Sequence, residues 1–321
     1  MKPDVMKPDG GGPLISRRTF AALTTGSLVA LTHCDQTHGS DAIDRGYVDA
    51  HAHIWTPDLT SYPLDPGFSP KDMVPQSFTA EELFAACQPS GVTRVVLIQM
   101  SFYNFDNRYM LDAIAKYPRQ LSGVGIVDHH QPDVAVTMKS LAGKGVKGFR
   151  IHSRGRAKTW VDDEGMATLW KTATEEGLAV CPLINPAEIG YVDALCQKFP
   201  EATVVVDHFA RVGITGGIIP GELDQLSKLA KHPNLFVKTS AFYALGKKQA
   251  PYTDLLPMIQ RLTDAFGPKR LMWASDCPYQ VQGEHDYDSS IALLRDHADF
   301  LSAEEKRWML KKTAEKVFFD Q

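Results

Sequence analysis

Cysteine is scarce and unpaired in this chain of 321 residues. Cys34, Cys87, Cys181, Cys196 and Cys277 are the five present, and no two form a C-x-x-C pair. An odd count without that spacing supports neither a disulfide framework nor a cysteine zinc knuckle, and it leaves most of them as small buried hydrophobes. Charge of one sign is lacking as well. Lys and Arg number 34 against 38 Asp and Glu, the formal net charge is −4, and no basic stripe is interleaved with aromatics. That removes the electrostatic footprint of a nucleic-acid binder. The apolar run that ends at Thr32 is too short and too rich in Thr and Gly for a membrane span. What remains, 44% hydrophobic and 22% charged residues, is the composition of a soluble globular protein with room for one large core or two ordinary domains. The partner left standing is a small molecule.

Residues 1–45 have a grammar of their own. A polar Pro/Gly-rich start is followed by Ser16-Arg17-Arg18-Thr19-Phe20 and then by the mildly apolar run. Paired arginines, an aromatic two positions on and a short apolar stretch, in that order, resemble a twin-arginine export signal. The resemblance implies the twin-arginine export machinery as a partner and a periplasmic or otherwise exported protein. No clean A-x-A cleavage site stands before residue 46. A plain N-terminal tail on a cytoplasmic protein is the alternative.

From residue 46 onward the pattern is regular. Apolar, β-branched runs fall at 47–55, 92–100, 121–129, 146–153, 178–185, 202–210, 234–242 and 270–278. Most are near-continuous rather than alternating, which suits strands covered on both faces. Between them lie amphipathic stretches with helix starts such as the capping boxes Thr79-Ala-Glu-Glu82 and Ser302-Ala-Glu-Glu305. Strand then helix, eight times without a linker, predicts an α/β TIM barrel of eight parallel strands and eight helices over 46–321. An open doubly wound sheet is disfavoured, because no Gly-x-Gly-x-x-Gly turn follows the first strand. The long stretch 56–78 carries Pro57, Pro63, Pro66, Pro70 and Pro75. It reads equally as a lid, a substrate-binding wall or an ordered surface loop.

Polar residues break the apolar strands at their C-terminal ends, where a barrel builds its active site. They are His51 and His53 on strand one, Arg150 and His152 on strand four, and Asn185 on strand five. Strand six adds Asp207 and His208, strand seven Lys238 and Ser240, and strand eight Asp276 with Tyr279 just after it. His51 and His53, two apart, face the same way on a strand and suit metal ligation or carbonyl polarisation. A chance His-Ala-His on a solvated loop is the bland reading. Several strands placing His or Asp at one rim argues against it, since an unpaired buried polar group costs ~1–3 kcal/mol. Arg150 has the planar fork that grips a carboxylate, or it pairs with a barrel acid such as Asp276. His152, Lys238 and Ser240 read equally as supporting groups or as strand-end polarity. Of His129 and His130 after strand three, neighbours on a strand face opposite ways, so at most one is expected to enter the mouth.

Asp49-Ala-His-Ala-His-Ile-Trp55, Val206-Asp-His208 and Leu271-Met-Trp-Ala-Ser-Asp-Cys-Pro278 resemble, in order, the signatures of the amidohydrolase superfamily. The closer likeness is to its amidohydrolase-related branch of lactonases and zinc-dependent decarboxylases. The closing run Arg307-Trp-Met-Leu-Lys-Lys-Thr-Ala-Glu-Lys-Val-Phe318 also resembles that branch. The likeness covers about residues 47–318. It implies that His51, His53, His208 and Asp276 hold a metal, zinc first, or act on the substrate directly, with Asp276 as general base toward water and His208 a ligand or electrophile. From their places at the strand ends, and not from the likeness, Arg150, His152, Asn185 and Tyr279 are expected to contact the substrate, with a surface aromatic as the other reading of Tyr279.

The pattern departs from two-metal hydrolases, which place a bridging Lys on strand four and a His on strand five, where this chain has Arg150 with His152 and Asn185. A single divalent metal and metal-free catalysis, known in some lactonases of the branch, both stay open. Asn185 in place of a strand-five His also counts against a decarboxylase. A hydrolase of a lactone bearing a carboxylate is therefore expected, with a zinc-dependent decarboxylase or a non-catalytic binding barrel as alternatives.

Overall fold

The structure, a computed structural model, describes residues 46–320, and the export signal expected over 1–45 lies outside them. Eight strands pair in chain order, all parallel: β1 (Tyr47–Ala52), β2 (Val92–Ile98), β3 (Leu121–Gly125), β4 (Val146–His152), β5 (Ala179–Leu183), β6 (Thr203–Val206), β7 (Leu235–Ser240) and β8 (Leu271–Ala274). The ring closes just past β8. The His53 amide donates to the Cys277 carbonyl at 2.7 Å, and the Asp276 amide to the His51 carbonyl at 2.8 Å.

Eight helices alternate with the strands: α1 (Ala80–Cys87), α2 (Arg108–Lys116), α3 (Val134–Ala142), α4 (Glu164–Glu175), α5 (Ile189–Lys198), α6 (Pro220–Lys228), α7 (Leu256–Phe266) and α8 (Tyr287–Arg295). Both capping boxes form. The Thr79 hydroxyl accepts from the Glu82 amide before α1, and the Ser302 hydroxyl from the Glu305 amide before the last helix. That last helix is not continuous. It runs as α9 (Ala303–Arg307), a π turn (Trp308–Lys312) and α10 (Thr313–Phe318).

Two apolar layers hold the barrel. Trp55, Leu83, Leu97, Trp170 and Trp273 belong to the larger layer, packed between sheet and helices. Inside the barrel, Val48, Val96, Val205, Phe236 and Met272 pack with Phe318 of α10, which plugs the lower end. Each such large side chain contributes about 1.5–3 kcal/mol by leaving water. Alternation along each strand then carries the inward face upward to polar residues: Phe236, Lys238, Ser240 on β7 and Gly148, Arg150, His152 on β4. A Cβ on Gly148 would lie 2.8 Å from the Ala179 carbonyl oxygen, so glycine permits β4 to approach β5 just below Arg150.

The strands start within one residue of where the sequence places them but end sooner, β3 at Gly125 and β6 at Val206. Past β6 the backbone leaves the ladder and carries His208 to the cavity. His129 and His130 thus sit on a turn, not a strand, and neither enters the cavity. Their rings lie 4.0 Å apart and face Asp163 at 3.8 and 3.7 Å. The 56–78 stretch is tied at both ends. Trp55 and Phe78 exchange backbone bonds, and the Trp55 indole donates to the Pro75 carbonyl. None of its residues lines the cavity. Of its three readings, ordered surface loop is the one the structure supports.

Candidate active site

Asp49 fixes the first motif. It is fully buried and accepts from the His51 amide at 3.0 Å, the Ser275 amide at 2.9 Å, the Ser275 hydroxyl and the Tyr287 hydroxyl at 2.7 Å. One carboxylate thus joins β1 to the turn after β8 and sets the height of both His51 and Asp276. His53 is oriented from β2, its Nδ1 bonded to the Ile98 carbonyl at 2.8 Å. A carbonyl only accepts, so Nδ1 carries the proton and a neutral His53 turns the lone pair of Nε2 inward.

That lone pair meets two partners. His51 Nε2 is 3.2 Å away and Asp276 Oδ1 is 3.2 Å away; His51 Nε2 and Asp276 Oδ1 are 3.4 Å apart. His208 Nε2 stands at the edge of the group, 3.8 Å from the same oxygen, while its Nδ1 shares a 2.8 Å bond with Ser240 Oγ. The Tyr243 hydroxyl donates to Asp276 Oδ2 at 2.7 Å, leaving Oδ1 to the imidazoles. Burial alone would raise the Asp276 carboxyl, but His208, His53 and His51 outweigh it and hold the group well below the usual carboxylate range. His208 is pushed down to about 4 by burial, against the pull of Asp276. The cluster therefore pairs an ionised carboxylate with His51 and His208, both of which burial favours in the neutral form.

Strand six ends in a backbone the sequence does not announce. His208, Phe209, Ala210 and Arg211 have φ of 49, 53, 52 and 60°, all left-handed and none glycine. With ψ near 29 and 28° at the two middle residues, and bonds from the Ala210 amide to Asp207 O and the Val212 amide to Phe209 O, this is a left-handed 3₁₀ turn. Such a backbone costs about 1–2 kcal/mol per residue. Three residues per turn stack positions i and i+3 on one side. His208 and Arg211 consequently both reach the cavity, which explains why a residue outside any strand signal belongs to the site. Asp276 is left-handed too, at φ 66°. Strain gathered at one rim is a mark of a functional site.

The mouth is a small cleft open to solvent. His53, His208, Asp276, Arg150, His152 and Tyr279 all line it, as does Arg211. His51 lies beneath, fully buried. Asn185 is not among the lining residues; its side-chain oxygen accepts from Arg211 at 3.3 Å, so it supports that arginine from behind. Arg150 turns toward Asp207, 3.5 Å from its Nε, and not toward Asp276. His152 is lowered to about 3 by burial and then by Arg150, Arg211 and Arg154, so it is a neutral hydrogen-bonding group in a cationic wall. Tyr279 packs edge-on to His53 and stacks on Tyr243.

The donor set fits a single divalent ion. His51, His53 and Asp276 offer atoms within 4.8 Å of one another. A tetrahedral zinc with bonds of about 2.0–2.1 Å spaces its ligands roughly 3.3 Å apart, close to the separations seen. Three protein ligands with His208 at the edge match an open, catalytic kind of site rather than a closed structural one.

Known proteins share parts of this sequence and this fold. A lactonase from Burkholderia ambifaria, L-fucono-1,5-lactonase, is 29% identical over 76% of this chain and 85% of its own. The 2-pyrone-4,6-dicarboxylate hydrolase of Comamonas testosteroni is 26% identical over 78% of this chain and 83% of its own. Among solved structures, an amidohydrolase from Burkholderia multivorans with bound zinc superposes with a TM-score of 0.72 at 21% identity, over 85% of this chain and 98% of that one. The Amidohydrolase family profile itself matches residues 48–319, nearly the whole barrel and every residue of the cluster: the chain belongs to the amidohydrolase family.

Proposed function

We propose that the protein hydrolyses a lactone that carries an anionic group. The observation that carries this reading is the pairing of two groups of residues in one cavity: a carboxylate held among imidazoles, and two buried arginines, Arg150 and Arg211, that line the same mouth. A carboxylate or sulfonate takes such guanidinium donors in bidentate fashion, which a neutral ligand does not. The sequence relatives named for lactones support the ester part of the reading.

In this reading the arginines bind and orient the anionic substituent, setting the lactone carbonyl over His53, His208 and Asp276. Asp276 Oδ1 takes a proton from the attacking water. The water oxygen forms the new C–O bond, the ring C–O bond breaks, and the departing ring oxygen takes up the proton held by Asp276, so that water is consumed, the carboxylate is restored and a hydroxy or oxo acid leaves. Lewis-acid polarisation of the carbonyl and acidification of water are what a divalent ion, zinc first, supplies when held by His51, His53 and Asp276, with His208 beside them. Tyr243 keeps the Asp276 carboxylate from rotating. Tyr279 and Leu183 line the cavity beside them.

The test is a substrate panel followed at constant pH: 2-pyrone-4,6-dicarboxylate, neutral L-fucono-1,5-lactone and a carboxylated phenol. Turnover of the dicarboxylate with net acid release and no carbon dioxide supports the reading. Turnover of the neutral lactone alone removes the anion requirement. Carbon dioxide release from the phenol replaces hydrolysis with decarboxylation, and specific binding without turnover of any would leave a binding barrel.

Export by the twin-arginine machinery is part of the proposal, resting on Arg17-Arg18 and the apolar run behind them. That machinery moves folded proteins, so a metal could be loaded before export.

A further inference from the structure

Lys238 has no part in the chemistry above, yet it is a fully buried cation at the heart of the barrel. Its Nζ lies 3.0 Å from Asp207 Oδ1, 3.2 Å from His51 Nδ1 and 5.6 Å from the Phe318 ring centre. An ammonium has donors only. His51 Nδ1 therefore has two mutually exclusive partners. It can accept from Lys238, or it can donate its own proton to Asp207 Oδ1 at 3.3 Å.

The choice propagates. If Nδ1 accepts from Lys238, the proton of a neutral His51 sits on Nε2 and points at His53 Nε2, 3.2 Å away. His53 can receive it, because its own Nδ1 proton goes to the Ile98 carbonyl. Lys238 to His51, His51 to His53, His53 to Ile98 is then a chain in which every donor has an acceptor and which needs no metal ion. If Nδ1 donates to Asp207 instead, two imidazole lone pairs face each other at 3.2 Å. That arrangement suits a shared cation, and a carboxylate behind a ligating imidazole strengthens it as a ligand.

We propose that Lys238 is a positioning residue that holds His51 in the Nε2–H form and thereby weakens the site's hold on a divalent metal. The inference rests on the proposed reading only in taking His51, His53 and Asp276 as the working cluster, and it does not depend on which substrate is turned over. With Lys238 replaced, Asp207 keeps Arg150 at 3.5 Å and becomes free to take the His51 Nδ1 proton. Lys238→Met is then expected to bind zinc roughly 10–100-fold more tightly, the range associated with such outer partners. Lys238→Arg, which keeps a donor-only cation, should return toward the wild-type affinity.

The full chain, stripped with chelator and titrated with zinc against a chromophoric competitor in the absence of any substrate, gives those affinities. Equal or weaker zinc binding by a folded Lys238→Met overturns the proposal. Ring-nitrogen NMR of histidine-labelled, metal-free wild type reads the tautomer directly: a proton on His51 Nε2 supports the proposal, and a proton on Nδ1 overturns it. That measurement needs no variant, so the proposal remains decidable even if Lys238→Met does not fold. A protein that hydrolyses none of the lactones, yet shows both signatures, would separate this inference from the proposed function.

Discussion

Replacing Asp276 by Asn isolates the base from the shape of the site. The side chain keeps its volume, and the Asn carbonyl can still accept from the Tyr243 hydroxyl, now at 2.7 Å from Asp276 Oδ2. The amide nitrogen then occupies the place of Oδ1 and can donate to His53 Nε2, 3.2 Å away. No buried donor loses its partner, so the folded state should persist. What disappears is the charge and the ability to take a proton from water. Loss of general-base assistance costs roughly 10²–10⁴-fold in rate, or about 3–5 kcal/mol of transition-state stabilisation at 1.36 kcal/mol per tenfold. In the proposed reading the substrate's anion is held by Arg150 and Arg211 and not by Asp276, so KM should move far less than kcat. Steady-state hydrolysis of the lactone identified by the panel, followed at constant pH, gives both constants. Urea denaturation and zinc content measured in parallel show whether fold or metal was lost instead. A folded Asp276→Asn enzyme with kcat within a few-fold of wild type would refute the role of Asp276 as base.

Arg150→Lys should raise KM for the anionic lactone by roughly 10–100-fold with a smaller change in kcat. A point charge cannot replace a planar fork, and a hydrogen bond to a charged group is worth about 1.5–3 kcal/mol; an unchanged KM would remove the clamp. Tyr243→Phe leaves a buried carboxylate oxygen without its donor and should cost about 1–3 kcal/mol in urea unfolding, with a lower kcat. Stability should fall as the medium is acidified from about pH 6.5 toward 4. His208, lowered to about 4 in the fold, stays neutral while the unfolded chain takes up its proton, a loss of about 1.4 kcal/mol per pH unit per such histidine. Chemical denaturation at several pH values would show this slope, and a flat profile over that range would contradict it. Lysine in place of both Arg17 and Arg18 should abolish export of a reporter fused to residues 1–45, and unchanged export would end the twin-arginine reading.

The order of elements and the level of the site were legible in the chain itself, because both depend on local periodicity. Eight apolar runs spaced by capped amphipathic stretches can bury themselves in few ways, and polar residues at the ends of such runs collect at one rim. His51, His53, His208 and Asp276 could be named for that reason. Tertiary structure alone decided the rest. Arg211 reaches the cavity only because four consecutive residues adopt left-handed angles, a backbone disfavoured for every residue in it and imposed by surrounding packing rather than by any local preference. Tyr243 finds Asp276 from a different strand end, and Asp49 joins residues 226 positions apart, contacts that no spacing along the chain encodes. Asn185 has the same composition signal as a substrate contact but stands behind Arg211, since a side chain's direction follows from the loop that carries it. Lys238 is the sharpest case. In the sequence it is one strand-end lysine among apolar neighbours; in the fold its three donors stand between Asp207 and His51, and distance and hydrogen-bond direction, not residue type, give it something to do.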